Sequence, residues 1–132
     1  MIVALREHVV PVLRERGFLG SFPHFRRPTA ASIHLLTFQF DKNGGGFVVE
    51  IASCPTEGVT MHWGEKVPPS KVTAHDVTRR QRLGAPGESG DHWFRYDRRG
   101  LFSFKDPFVR AAQEVVPFLD SQAEGYWTGV HV

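Results

Sequence analysis

Hydrophobic and polar positions alternate most regularly from Ala31 to Cys54, ASIHLLTFQFDKNGGGFVVEIASC. In an extended chain successive side chains point to opposite faces. Phe40, Phe38, Leu36 and His34 therefore share one side, and Phe47, Val49, Ile51 and Ser53 share one side of the following run. Lys42-Asn43-Gly44-Gly45 between them is a turn signal. Asn43-Gly44 suits the centre of a type I′ turn, where both residues need positive φ. That turn pairs Phe40 with Phe47, Phe38 with Val49, Leu36 with Ile51 and His34 with Ser53. It sets Asp41, Gln39 and Thr37 against Gly46, Val48 and Glu50 on the other face. A slip of one residue mixes the faces, whereas a turn centred on Gly44-Gly45 or Gly45-Gly46 keeps them. A hairpin with one apolar face needs a cover, most simply helices.

Residues 2–16 supply one. Ile2, Leu5, Val9, Val12 and Leu13 form a helical stripe, interrupted at Pro11, which removes the bond to the Glu7 carbonyl and predicts a kink or a late start. Gly17 is placed to end the helix in the left-handed conformation, with Phe18 folding back. Asp106-Pro107 opens a second helix with Phe108, Ala111, Ala112, Val115 and Leu119 at helical spacing. Pro117 interrupts it, Gly125 ends it, and the aromatic tail from Tyr126 packs on the body. His24–Arg27, flanked by Pro23 and Pro28, reads as an edge strand open to a second chain. Val59–Gly64 reads as a short strand and 66–71 as loop. Val72–Leu83 is ambiguous, but alternation of Val77, Arg79 and Gln81 with Thr78, Arg80 and Arg82 favours a strand, and with Asp91–Asp97 it reads as a second antiparallel pair across the loop 84–90. The expected fold is α+β, a single domain over 1–132, with an antiparallel sheet of four to five strands carrying an N-terminal and a C-terminal helix on one face.

Composition narrows the class. The length suits one core, and the formal charge is only +2. Twelve arginines against four lysines reflect a GC-rich genome as well as any arginine-specific role. One cysteine, Cys54, forms no internal disulfide, which fits a reducing compartment. The N-terminus has no signal-peptide pattern and no run is long enough to span a bilayer, so a cytoplasmic location is expected.

The order of features resembles a bacterial family, domain of unknown function four-three-zero-four. The resemblance lies in Gly17-Phe18, Phe25-Arg26, Phe38-Gln39, Gly45-Gly46-Phe47-Val48, Arg82-Leu83, Asp91-His92-Trp93-Phe94 and Val116-Pro117-Phe118-Leu119. Trp93-Phe94 stands where that family usually shows paired tryptophans. The resemblance implies a small cytoplasmic bacterial α+β domain and no particular activity.

Candidate chemistry is sparse. Seven histidines show neither zincin spacing nor a cysteine pair, so no metal and no cofactor is expected. His34, at the end of the apolar face, reads as a satisfied core-edge residue. Cys54 with His62 or His75 and Asp76 is the one set that can be written for a small hydrolase. A cysteine at the end of a buried strand is more often a small hydrophobe. The basic cluster Arg79, Arg80, Arg82, Arg95, Arg98 and Arg99 interleaves with Trp93, Phe94 and Tyr96, with a local balance of +3 over 79–99. Segment 105–132 carries −2. Arginine beside exposed aromatics holds single-stranded nucleic acid, but the overall charge is small for a phosphate-tracking surface. Charge polarised in this way also steers an acidic protein. The expectation is a small non-catalytic binding or accessory protein, immunity-like by analogy of fold alone. Its partner is another protein, met on the outer sheet surface around Arg79, Arg82, Trp93 and Arg95. The alternatives are single-stranded nucleic-acid binding through the arginine–aromatic strands, and the small hydrolase.

Overall fold

The computed structural model describes residues 1–97 and 106–129. Arg98, Arg99 and Lys105 lie outside the described residues. The N-terminal stripe folds as two short helices, α1 (Ile2–His8) and α2 (Val10–Glu15), which break at Val9. Pro11 is the cause, since it has no amide to give the Glu7 carbonyl. Gly17 takes φ +92°, and the amides of Phe18 and Gly17 close on the Leu13 and Arg14 carbonyls at 3.0 Å each. This is the Schellman closure that a left-handed glycine permits.

The strands β1 (Leu19–Ser21), β2 (His24–Pro28), β3 (Ile33–Phe40) and β4 (Gly46–Cys54) form an antiparallel meander. The hairpin register is the one expected from a turn centred on Asn43-Gly44, with Phe40 opposite Phe47, Phe38 opposite Val49, Leu36 opposite Ile51 and His34 opposite Ser53. The turn differs. Positive φ falls on Gly44 and Gly45, not Asn43. The Gly44 amide reaches the Asp41 carbonyl at 2.9 Å, and the Asn43 amide donates to Asp41 Oδ1 at 2.9 Å. A four-residue loop built on an Asx-supported turn thus replaces the type I′ turn. It leaves both unusual conformations to glycine and keeps the same pairing.

β2 is not an edge. β1 pairs along it, Leu19 with Arg26 and Ser21 with His24. Neither proline blocks this, because Pro23 lies in the β1–β2 turn and Pro28 ends the strand.

On the other side of β4, β7 (Gln81–Arg82) and β8 (Phe94–Arg95) do not form the expected second pair. Both lie antiparallel to β4, Arg82 opposite Glu50 and Phe94 opposite Phe47. They are two pieces of one interrupted edge strand, with 83–93 as an excursion between them.

The C-terminal helix starts as expected, with Asp106 Oδ1 accepting from the Phe108 amide at 2.8 Å, and α3 spans Pro107–Phe118. It does not end at Gly125. A π-helical turn over Leu119–Ala123 follows Pro117, and α4 (Glu124–Thr128) continues to Gly129, which takes φ +72°. Leu5, Val9 and Leu13 from the first helices meet Ala111, Val115, Leu119 and Trp127 from the last on the face of Phe25, Leu36, Phe38, Phe47, Val49 and Phe94. Each fully buried Leu or Phe contributes about 1.5–3 kcal/mol relative to its exposed state.

The opposite face has its own smaller core. Ile33, Leu35, Ala52 and Cys54 pack with Val72 and Ala74. Their cover is the segment 59–77. It contains a detached ladder of β5 (Val59–Thr60) and β6 (Lys66–Val67) and a 3-10 turn over Ala74–Asp76, so β5 is no part of the main sheet and the first residues of 66–71 are strand. Thr73 and Asp76 close a capping box on that turn, with the Thr73 amide at 2.9 Å from Asp76 Oδ2. Gly58, at φ +94°, leads into β5, and a Cβ there would collide with the Val67 carbonyl. Gly58→Ala is expected to destabilise by about 1–3 kcal/mol, the usual cost of such a conformation in a residue with a side chain. Thermal unfolding measures it, and an unchanged midpoint would show that the β5–β6 unit does not constrain this position.

Candidate functional site

The outer face of the sheet divides in two. The end at Ile33, Leu35, Ala52 and Cys54 lies under 59–77. The other end carries Thr37, Gln39, Val48 and Glu50, with Arg82 opposite Glu50 and Arg95 opposite Gly46. The period of two makes this placement unavoidable once Phe47 and Phe94 enter the core.

Trp93, half-buried, lies on this face just before β8. The Arg82 and Arg95 guanidinium carbons stand 5.5 and 5.3 Å from its ring centre, within range of cation–π attraction. Its indole Nε1 donates to Asp91 Oδ2 at 3.1 Å. Asp91 Oδ1 accepts from Arg82 Nη1 at 2.5 Å and from the His92 amide at 2.9 Å. Hydrogen bonding to Arg82 holds the Asp91 carboxyl below its ordinary range, and the same bond raises Arg82 further. Glu50, buried on the same face, lies 3.5 Å from Arg82 and 3.7 Å from Arg80. Arg95 has no carboxylate partner among the described residues.

Of the four surface candidates, Arg82, Trp93 and Arg95 therefore meet and Arg79 does not. Arg79 pairs with Glu88 at 2.8 Å. Together with Ser53, Gln81 and Tyr126 these two line a separate cavity of about 230 Å³. Burial, with Glu88 nearby, raises the Tyr126 hydroxyl there, and Arg79 works against that rise. Sequence reasoning missed Asp91 and Glu50 as members of the arginine–tryptophan cluster. The available signals were the Asp91-x-Trp93 spacing and the position of Glu50 on the polar side of the hairpin.

The groups written for a hydrolase are poorly disposed. Cys54 is buried, and burial raises its thiol, as do Glu57 and Asp76. A reactive thiol needs the reverse. Asp76 is committed to the capping box, and His62 packs edge-on against the exposed Trp63 at 4.6 Å. Among the described residues no cluster of histidine, cysteine and carboxylate suits a metal ion. His34 is the satisfied core-edge residue its position suggests. It is buried, stacked on Trp127 at 5.6 Å, and its Nδ1 accepts from Arg27 Nε at 3.1 Å.

The class so defined is a small α+β domain with a helix-covered sheet and an arginine–tryptophan surface at one end of its other face. The sequence profile described as Domain of unknown function (DUF4304) matches residues 9–103, well over half of the chain, and the chain belongs to this family. The match ends before α3, so the likeness at Val116–Leu119 falls outside it. No curated protein and no solved structure matches the chain significantly. No helix among the described residues is long and apolar enough to cross a membrane.

Proposed function

We propose that this is a non-catalytic binding domain of the bacterial cytoplasm, an accessory protein of the immunity-like kind, which docks another protein on the outer sheet surface. The observation that carries the reading is Trp93, half-buried beneath two guanidiniums and anchored by Asp91. Tryptophan and arginine dominate the binding energy of protein interfaces. A ring already held in place loses little freedom on binding. Arg95, without a carboxylate of its own among the described residues, favours a partner with an acidic group at this position.

The nucleic-acid alternative has less support. Arg79 and Arg82 are paired with the chain's own carboxylates, and the Trp93 ring that a base would stack on already carries two guanidiniums.

The test starts with the tagged chain in lysate of the source organism. The co-purifying protein is identified, expressed and titrated calorimetrically. Arg95→Glu is expected to weaken that complex about tenfold or more, since reversing a charge against an acidic partner costs upward of about 1.4 kcal/mol. Equal binding by the variant would remove the surface from the interface. In parallel, a short single-stranded oligonucleotide is added at low salt while Trp93 fluorescence is followed. Protection that disappears steeply with salt would replace the protein reading with the nucleic-acid one.

A further inference from the structure

A groove lies at the opposite edge of the outer face from Trp93. It has a volume of about 390 Å³ and runs between the β1–β2 hairpin and residues 71–73. Arg26 and Lys71 line it, no carboxylate does, and neither cation has an ion-pair partner among the described residues. His24 also lines it, its Nδ1 2.9 Å from Thr37 Oγ1. In the tautomer whose Nδ1 accepts from that hydroxyl, the other ring nitrogen carries a proton to donate. Phe22, Pro23 and Val72 give the same groove an apolar side.

Two unpaired cations in a concave site are an electrostatic demand for a dianion. The apolar wall suits an organic group joined to it. We propose that this groove binds a small phosphate monoester, its phosphoryl oxygens on Arg26 and Lys71, and that His24 takes up a proton as it binds.

The surroundings of His24 support the coupling. Desolvation and the neighbouring His75, 5.7 Å away ring to ring, hold His24 below its ordinary range, while Asp76 pulls the other way. Thr37 on β3 is neutral, and Arg26 and Lys71 are the cations that line the same groove. His24 is therefore neutral near pH 7 in the empty groove. A dianion beside it reverses the balance, so affinity rises as pH falls through the ordinary histidine range.

Sulfate is the probe for that pH dependence, because it stays dianionic from pH 5 to 8. Inorganic phosphate and phenyl phosphate at pH 7 distinguish a bare oxyanion from a monoester. Binding is followed by amide NMR shifts at constant ionic strength with chloride as reference. Sulfate is expected to shift the amides of Arg26 and Lys71 and not those of Arg82 and Arg95. It should bind up to about tenfold more tightly at pH 5.5 than at pH 8, the limit for a one-unit rise in one group's pKa. Phenyl phosphate should bind more tightly than inorganic phosphate. Lys71→Gln, on an exposed loop, and Arg26→Gln should each weaken binding several-fold, and His24→Gln should flatten the pH dependence. Shifts scattered over all basic residues, affinity unchanged in Lys71→Gln, or a pH dependence that survives His24→Gln would each overturn the proposal. Phenyl phosphate binding no more tightly than phosphate would overturn the monoester assignment. These outcomes leave the Trp93 surface untouched, since neither set of variants alters the other's residues.

Discussion

Arg27→Ala is expected to lower the unfolding free energy by about 2–4 kcal/mol at pH 7, the cost of breaking a buried ion pair reduced for partial exposure of one partner. Arg27 joins β2 to the C-terminal helix. Its Nη1 and Nη2 donate to the two Glu124 oxygens at 3.0 and 2.9 Å. Its Nε donates to His34 Nδ1 at 3.1 Å, and its guanidinium lies over the rings of Phe18 and Trp127 at 4.7 and 5.3 Å. The Arg27 side chain is 16% exposed and that of Glu124 32%, which is why the lower half of the range applies as well. Truncation leaves His34 without its donor and Glu124 with Arg16 at 3.6 Å as the remaining cation. Arg27→Lys restores only part, because one ammonium cannot present the fork that bridges both groups.

The same cluster sets a pH signature. His34 is held low, first by burial and then by Arg27, with Glu124 opposing. The unfolded chain therefore protonates first, and stability is lost as pH falls below about 6.5 toward the folded value. Burial works to raise Glu124, but the Arg27 hydrogen bonds and charge, Arg16 and His34 outweigh it and hold the carboxyl low. That contribution is complete above the unfolded carboxyl range and is lost as pH falls through the lowered folded value. Urea unfolding at pH 7.5, 5.5 and 4 should show both losses in the wild type and smaller ones in Arg27→Ala. An alanine variant as stable as the wild type at pH 7.5 would show that the cluster is solvated and contributes nothing.

Phe47→Ala is expected to cost about 3–5 kcal/mol, the range for deleting a buried aromatic ring. Phe47 is fully buried and stacked on Phe94 at 5.2 Å, with Phe40 and Phe38 at 5.8 and 6.2 Å. A loss of this size is a large part of the 5–15 kcal/mol that holds a typical domain together. It also has a local consequence. β8 contributes only two residues to the ladder, Phe94 opposite Phe47 and Arg95 opposite Gly46. Removing the stack loosens β8 before the rest of the sheet. Hydrogen exchange at the Tyr96 amide, which donates to the Gly45 carbonyl at 3.1 Å, should accelerate more than exchange along β3. Uniform acceleration would mean that β8 is held by the ladder and not by the ring.

The hairpin was legible because two independent signals agreed. Alternation placed Phe38, Phe40, Phe47 and Val49 on one side, and every turn centre the glycine-rich run offered kept them there, with Asn43-Gly44 giving the observed pairing. A type I′ turn at Asn43-Gly44 and the observed four-residue loop give the same pairing, so the wrong turn still gave the right register. The caps at Gly17 and Asp106 and the break before Pro11 were legible for a similar reason: each is a local backbone requirement. The strand edges were not. β1 has three residues and β7 and β8 two each, too short for a period to show, and their pairing depends on which partner β4 offers. Gly125 looked like a stop because it is a glycine, but the helix continues where Trp127 gains a buried site and bonds to the Leu35 and Ala52 carbonyls at 3.3 and 3.0 Å.

The candidate surface divides in the same way. Sequence named Arg82, Trp93 and Arg95 from charge and aromatic content. It could not separate Arg79 from them, since that depends on 83–93 leaving the sheet and returning. Nor could it show the groove at Arg26 and Lys71, which are 45 positions apart and meet only when 59–77 folds over the back of the sheet. Local chemistry along the chain thus determined the hairpin, its faces and the helix caps, because those are satisfied within a few residues. Which surfaces come together was decided by tertiary packing, because burying Ile33, Leu35, Ala52 and Cys54 requires segments distant in sequence to cover them.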